Sequence, residues 1–203
     1  SGVTEKLMSN FVQLFGRFRG GLALGVVLIG ILLAASTGIV GASVVLLALL
    51  SMPIMLRQGY NKGFAAGVVC SAGTLGILIP PSIMLIIMAD QMSVSVGNLF
   101  MGALIPGLML GGFYLVFIII AAMLFARLAP APTDLPPVSW RLVASTLWAV
   151  VPPLLLIFAV LGSIFFGIAT PTEASGVGAM GATLLALLNG RLTLDVLKDV
   201  GLK

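Results

Sequence analysis

The chain has no histidine and one cysteine, Cys70, among its 203 residues. Histidine metal sites and histidine acid–base catalysis are therefore excluded, and so is an internal disulfide. Charge is also scarce: Asp, Glu, Lys and Arg make up 8% of the sequence, against roughly a quarter in a soluble domain. No soluble domain of any size fits that composition. No nucleophile lies beside a base in any recognisable pattern, so the chain does not read as an enzyme.

What the sequence has is hydrocarbon. Sixty per cent of its residues are hydrophobic, and the mean hydropathy is +1.25. Apolar runs of 18 residues or more have the length of a membrane span, so the composition describes an all-α integral membrane protein in a lipid bilayer. The net charge of +4 comes from lysines and arginines between the runs. It reports orientation and does not point to nucleic acid. Cys70 lies in an apolar run and reads as a small packing residue, and the ten methionines read as apolar filler. The chain starts Ser1-Gly2 and stops within an amphipathic segment, which suggests a piece of a longer polypeptide.

One apolar run departs from a plain span. Residues 64–89 carry Gly73-Thr74-Leu75-Gly76-Ile77-Leu78-Ile79-Pro80-Pro81-Ser82 at their centre. Proline has no N–H and clashes with the turn before it, so the two prolines free carbonyls around 75–77. In hydrocarbon such carbonyls need another helix, a water-lined cavity or a cation. A helix broken at mid-membrane is where transporters place ion and substrate sites.

The rest divides around that break. Residues 1–19 form an interfacial amphipathic helix, with Leu7, Phe11, Leu14, Phe15 and Phe18 against Glu5, Lys6, Asn10 and Gln13. Residues 20–56 hold two apolar arms of about fifteen residues around a polar centre, Ser36-Thr37-Gly38; the arms are short for spans, and a re-entrant hairpin fits them. Residues 57–126 hold the broken helix and a following span; 127–141 form a proline-rich linker. Residues 142–190 supply two more spans, and 191–203 are again amphipathic. With a re-entrant hairpin, all ten lysines and arginines fall on one side. Asp90 and Glu173 stand alone on the other. By the positive-inside rule the basic side is cytoplasmic. Trp140 and Trp148 suit that interface.

Two patches offer hard oxygen ligands. The hairpin tip has Ser36, Thr37, Gly38 and Ser43, and the break has Gly73, Thr74, Gly76 and Pro80. Neutral hydroxyls and carbonyls suit a small hard cation such as Na⁺. The competing reading is close helix packing through small residues. Ser82 lies at the break as a hydroxyl available to a solute. Thr170-Pro171-Thr172-Glu173 is good helix-start chemistry, so capping competes with anion binding at Thr170 and Thr172.

Several strings then resemble a known family. Ala72-Gly73-Thr74-Leu75-Gly76-Ile77-Leu78-Ile79-Pro80-Pro81-Ser82, Gly167-Ile168-Ala169-Thr170-Pro171-Thr172-Glu173-Ala174 and Met101-Gly102-Ala103-Leu104-Ile105-Pro106-Gly107 resemble signatures of the large permease subunit of TRAP (tripartite ATP-independent periplasmic) transporters. Arg57-Gln58-Gly59-Tyr60 also fits. The hairpin tip departs from the pattern, with Thr37-Gly38-Ile39-Val40 where many members are richer in serine and alanine. The resemblance implies an inverted-repeat, elevator-type secondary transporter of the bacterial inner membrane, driven by Na⁺. Its substrate would be a small organic acid brought by a periplasmic binding protein, and a small membrane subunit would brace it. The chain would then be about half of the large subunit and supply half of the ion and substrate site. An ion channel subunit and a purely structural membrane subunit are the alternatives.

Overall fold

In hydrocarbon a backbone must satisfy its own hydrogen bonds, and a helix does so within one segment. The computed structural model describes residues 10–11, 13–15, 18–125, 127–130 and 140–188, without the side chains of 34–37 and 188. The described residues form seven helices: α1 (Gly21–Thr37), α2 (Val40–Arg57), α3 (Lys62–Leu78), α4 (Ile83–Gln91), α5 (Val96–Leu124), α6 (Trp140–Phe165) and α7 (Pro171–Leu188). Asn10, Phe11 and 13–15 are also helical, and the rings of Phe11 and Phe15 stack with centroids 5.7 Å apart. Much of the expected amphipathic helix of 1–19, and all of 191–203, lie outside the described residues.

Local sequence explains where the helices stop. α1 ends at Gly38, whose φ of +62 is costly for any residue with a Cβ. α3 starts at Asn61, whose Oδ1 accepts from the Phe64 N–H at 3.2 Å, an N-cap bond. α3 ends before Pro80-Pro81, and the chain turns by 42° into α4. Pro106 in α5 and Pro152-Pro153 in α6 sit inside continuous helices instead.

α3 lies at the centre, packed on α1 and α2 and more lightly on α5. Lipid tails are as apolar as leucine, so helices associate here through close packing between small residues. A Cβ added to Gly30 of α1 would lie 2.8 Å from the Cβ of Ala72. One added to Gly73 would meet backbone N and Cα of Val44 on α2 at 3.0 Å. Val26, Val27, Leu47, Met55, Val68 and Val69 fill the rest of this core.

The two ends of the bundle differ in charge. Gly20 abuts Ala122 near the end of α5, and the Asn61 N–H donates to the Leu128 carbonyl at 3.1 Å. Arg19, Arg57, Lys62 and Arg127 therefore gather at one end; the first turns of α6, with Arg141, are tied to Asn10 through its amide donating to the Ser145 hydroxyl at 3.4 Å, and the far end of α6 lies beside Gly97. Asp90 and Glu173 mark the opposite end. Lys6, Arg17, Arg191, Lys198 and Lys203 fall outside the described residues. Tyr60 is buried in the turn at the basic end, and burial pushes its phenol above the usual tyrosine range, against the smaller lowering effect of the Ala23 and Leu22 backbone N–H groups at the start of α1. It stays protonated at neutral pH.

The hairpin arms, at 17 and 18 residues, are longer than the fifteen expected, because helix continues up to Thr37 and on to Arg57. By length and apolarity α2, α5 and α6 could each cross a bilayer, and the bent α3–α4 pair is together long and apolar enough for a fourth span. Depth argues against a crossing by the hairpin. α1, α2 and α3 share the basic end and rise about 25 Å each (17 or 18 residues at about 1.5 Å). The tip thus reaches the level of the break, and the nine residues of α4 continue about 13 Å beyond it.

Candidate functional site

The tip and the break meet. A Cβ on Gly38 would lie 3.2 Å from the Ile83 nitrogen and 3.4 Å from the Pro81 carbonyl oxygen. Gly38 is buried, so the absence of a side chain lets the turn of one re-entrant element sit against the backbone of another. Around this junction lies a cavity of about 480 Å³, lined on one side by Gly38, Pro81 and Ser82 and on the other by Ser175 and Gly178 of α7. Cavities of this size hold small solutes.

The break leaves specific groups without partners. The Ile79 N–H still donates to the Leu75 carbonyl at 2.9 Å, so Leu75 is not freed. The i+4 positions of Gly76 and Ile77 are Pro80 and Pro81, which have no N–H to give. Gly76 and Ile77 therefore carry the carbonyls without helical donors. Pro80 is fully buried at this point.

Ser82 is the N-cap of α4, yet its side chain makes no cap bond. Only 1% of the residue is exposed, and its hydroxyl has no hydrogen-bond partner. Buried hydroxyls are normally paired, and a bare one needs a reason. Here it stands beside the first-turn N–H groups of a helix, where partial positive charge accumulates. The arrangement offers an anion a hydroxyl proton and a helix N-terminus together.

The other sequence-predicted residues separate by geometry. Ser43 is buried, and its hydroxyl donates to the Ile39 carbonyl at 2.9 Å. Thr74 is half-buried and donates to the Ser71 carbonyl at 2.7 Å, which leaves its oxygen lone pairs open. Gly73 is held by its contact with Val44, and Gly76 is buried on the same helix. Ser36 and Thr37 close α1, and their side chains lie outside the described residues. Thr170 and Thr172 are exposed. The Thr170 N–H and hydroxyl both donate to Glu173, at 2.7 and 2.8 Å, and the Glu173 N–H donates back to the Thr170 oxygen at 3.4 Å. This capping box satisfies the start of α7. The start of α4, by contrast, meets the cavity without a side-chain cap.

Sequence reasoning missed the far wall of the cavity. Ser175 lies one turn past Pro171 on α7 and carries no local signal that it would face Ser82 across the bundle. It also located the freed carbonyls one position early, because Ile79 remains in α3's bonding pattern.

The family model described as "Tripartite ATP-independent periplasmic transporter, DctM component" matches residues 1–202. The chain belongs to the DctM family. This DctM-family chain is 40% identical over 185 residues to the C4-dicarboxylate TRAP transporter large permease protein DctM of Vibrio cholerae serotype O1, covering 91% of the chain and 40% of that protein. Against the protein of the same name from Pseudomonas aeruginosa, identity is 40% over 187 residues, or 92% of the chain and 42% of the relative. The ectoine TRAP transporter large permease protein TeaC of Halomonas elongata is 33% identical over 189 residues, at 91% and 42% coverage. The chain thus spans about 40% of the length of these curated relatives.

Proposed function

We propose that this DctM-family chain supplies one half of the ion- and solute-binding core of a secondary transporter for small organic anions, coupled to Na⁺. The observation that carries the reading is the junction of Gly38 with Pro81-Ser82-Ile83, which brings a hairpin tip, a helix break and an unpartnered hydroxyl onto one cavity. Na⁺ is the ligand the freed Gly76 and Ile77 carbonyls suit, with the Thr74 and Ser43 oxygens and the tip backbone near Gly38 as further donors. The uncapped start of α4 with Ser82 is the anion pole. Gly73 serves packing on this reading and is not a ligand. Thr170 and Thr172 serve the α7 cap.

The relatives' names supply the setting: TRAP permeases for C4-dicarboxylates, ectoine and isethionate, the last carrying the composite name DctMQ. By that likeness a periplasmic binding protein delivers the solute and a small membrane subunit braces the permease in a bacterial inner membrane. The basic end faces the cytoplasm, where lysine and arginine accumulate. The test is uptake into proteoliposomes by the full-length large subunit with both partners, under an inward Na⁺ gradient and then with K⁺. Uptake that requires Na⁺ and weakens in Thr74→Val supports the coupling site. Uptake indifferent to both would leave the small residues as packing devices, the structural alternative.

A further inference from the structure

Within the solute site just described, and resting on that reading, we infer that the cavity is built for a solute with one anionic end and an apolar body, and not for a dianion. The uncommitted hydroxyl lies at one pole. Ser82 has its hydroxyl proton uncommitted and stands at the start of α4. A second lining hydroxyl among the described residues, Ser175 on α7, donates its proton to the Thr172 carbonyl at 2.6 Å. Among the described residues no lysine, arginine, aspartate or glutamate lines the cavity.

Between the pole and α7 the wall is hydrocarbon: Ile86, Phe100, Leu156, Ile157, Val160 and Ile164. Phe100 is fully buried and packs with Leu161 and Ile164 in a local cluster, so the wall is a fixed surface. At the α7 end, Pro171 and Ala174 line the cavity and flank Glu173, a carboxylate already engaged by Thr170. A second anionic group placed along this wall would face apolar side chains and approach a like charge. A desolvated charge without a partner is strongly disfavoured. An alkyl or aromatic body on the same wall would lose water at no such penalty. One headgroup at Ser82 and an apolar body toward Val160 is the pose the chemistry selects.

The experiment uses the full-length subunit with its small membrane partner in proteoliposomes, in a Cys70→Ser background. A reporter thiol is introduced at Ala179, which lines the cavity on α7, and separately at Ala182 on the same wall. Labelling by a small maleimide is timed with benzoate, cyclohexanecarboxylate or succinate at equal concentration. A single gel-filtration peak shows that each variant is folded, and labelling without solute shows that the position is open. The expected result is at least tenfold slower labelling with the two apolar monocarboxylates and less than twofold slowing with succinate. Equal protection by succinate overturns the inference while leaving organic-anion transport intact. No protection by any solute, in protein that still takes up organic acids, places the solute elsewhere and overturns it too. Absence of labelling at both positions would mean that the rest of the subunit fills the cavity, which also overturns it. Failure of the parent protein, supplied with its periplasmic binding protein, to take up any organic acid is a separate result and sinks the transport reading itself.

Discussion

Gly67 and Gly73 lie on the same helix and have opposite surroundings. A Cβ on Gly67 would meet nothing within 4 Å, whereas one on Gly73 would press on the Val44 backbone at 3.0 Å. Gly67→Ala should be neutral or raise stability by up to about 1 kcal/mol through helix propensity. Gly73→Ala must push α2 away from α3 and should cost about 1–3 kcal/mol. Thermal unfolding of the detergent-solubilised subunit separates them, and equal melting temperatures would remove the packing role assigned to Gly73. Ser82 permits a sharper split between folding and function. Its hydroxyl makes no hydrogen bond in the protein, so Ser82→Ala should leave the melting temperature unchanged or raise it, because a buried unpaired hydroxyl is removed. If the hydroxyl holds a carboxylate, a charged hydrogen bond of roughly 1.5 kcal/mol is lost, and KM for uptake should rise about tenfold. A fall in melting temperature with KM unchanged would make Ser82 a structural residue.

At the scale of elements, the start of α7 is closed by its own side chains and the start of α4 is not. Glu173 accepts from two Thr170 donors, so Glu173→Ala should loosen the first turn of α7 and speed amide exchange there. Hydrogen exchange at the amides of 172–175 measures this, and unchanged protection would show that packing alone holds the turn. The contrast also shows what the sequence could reveal. Proline at 80 and 81 breaks a helix whatever surrounds it, and Thr170-Pro171-Thr172-Glu173 caps one, because both effects act within a single turn. The polar tip between two apolar arms was legible for the same reason. The meeting of Gly38 with Ile83, and of Gly30 with Ala72, joins residues more than forty positions apart, and no local periodicity encodes it. The Ser82 vacancy was beyond reach as well. Serine is a good N-cap by type, and only the folded geometry shows that this one makes no cap bond. The far cavity wall on α6 and α7 depends on how those helices return beside α4, which composition does not fix.

For the whole molecule, the hairpin's depth decides whether the chain presents a solute gate or an ordinary pair of spans. α1, α2 and α3 leave the basic end together and reach the same level, where Gly38 rests on the break. α4 carries the chain about 13 Å farther, nine residues at about 1.5 Å each, to Val94 on the acidic end. A thiol at Val94, which is 44% exposed, should react with an impermeant maleimide on cells whose outer membrane has been opened. Gly38 is a poor place for the matching probe, since its φ of +62 strains any substituted residue. Ile39, 51% exposed and with φ of −130, has room for one. In a Cys70→Ser background, Ile39→Cys should label at least tenfold more slowly than Val94→Cys with the impermeant reagent. A small permeant maleimide should narrow the gap if the tip opens on the cavity. Equal rates with the impermeant reagent would put the tip at the periplasmic surface. The hairpin would then be two full crossings that still return Arg57 to the face of Arg19, and the junction proposed as the ion and solute site would lose its place inside the membrane.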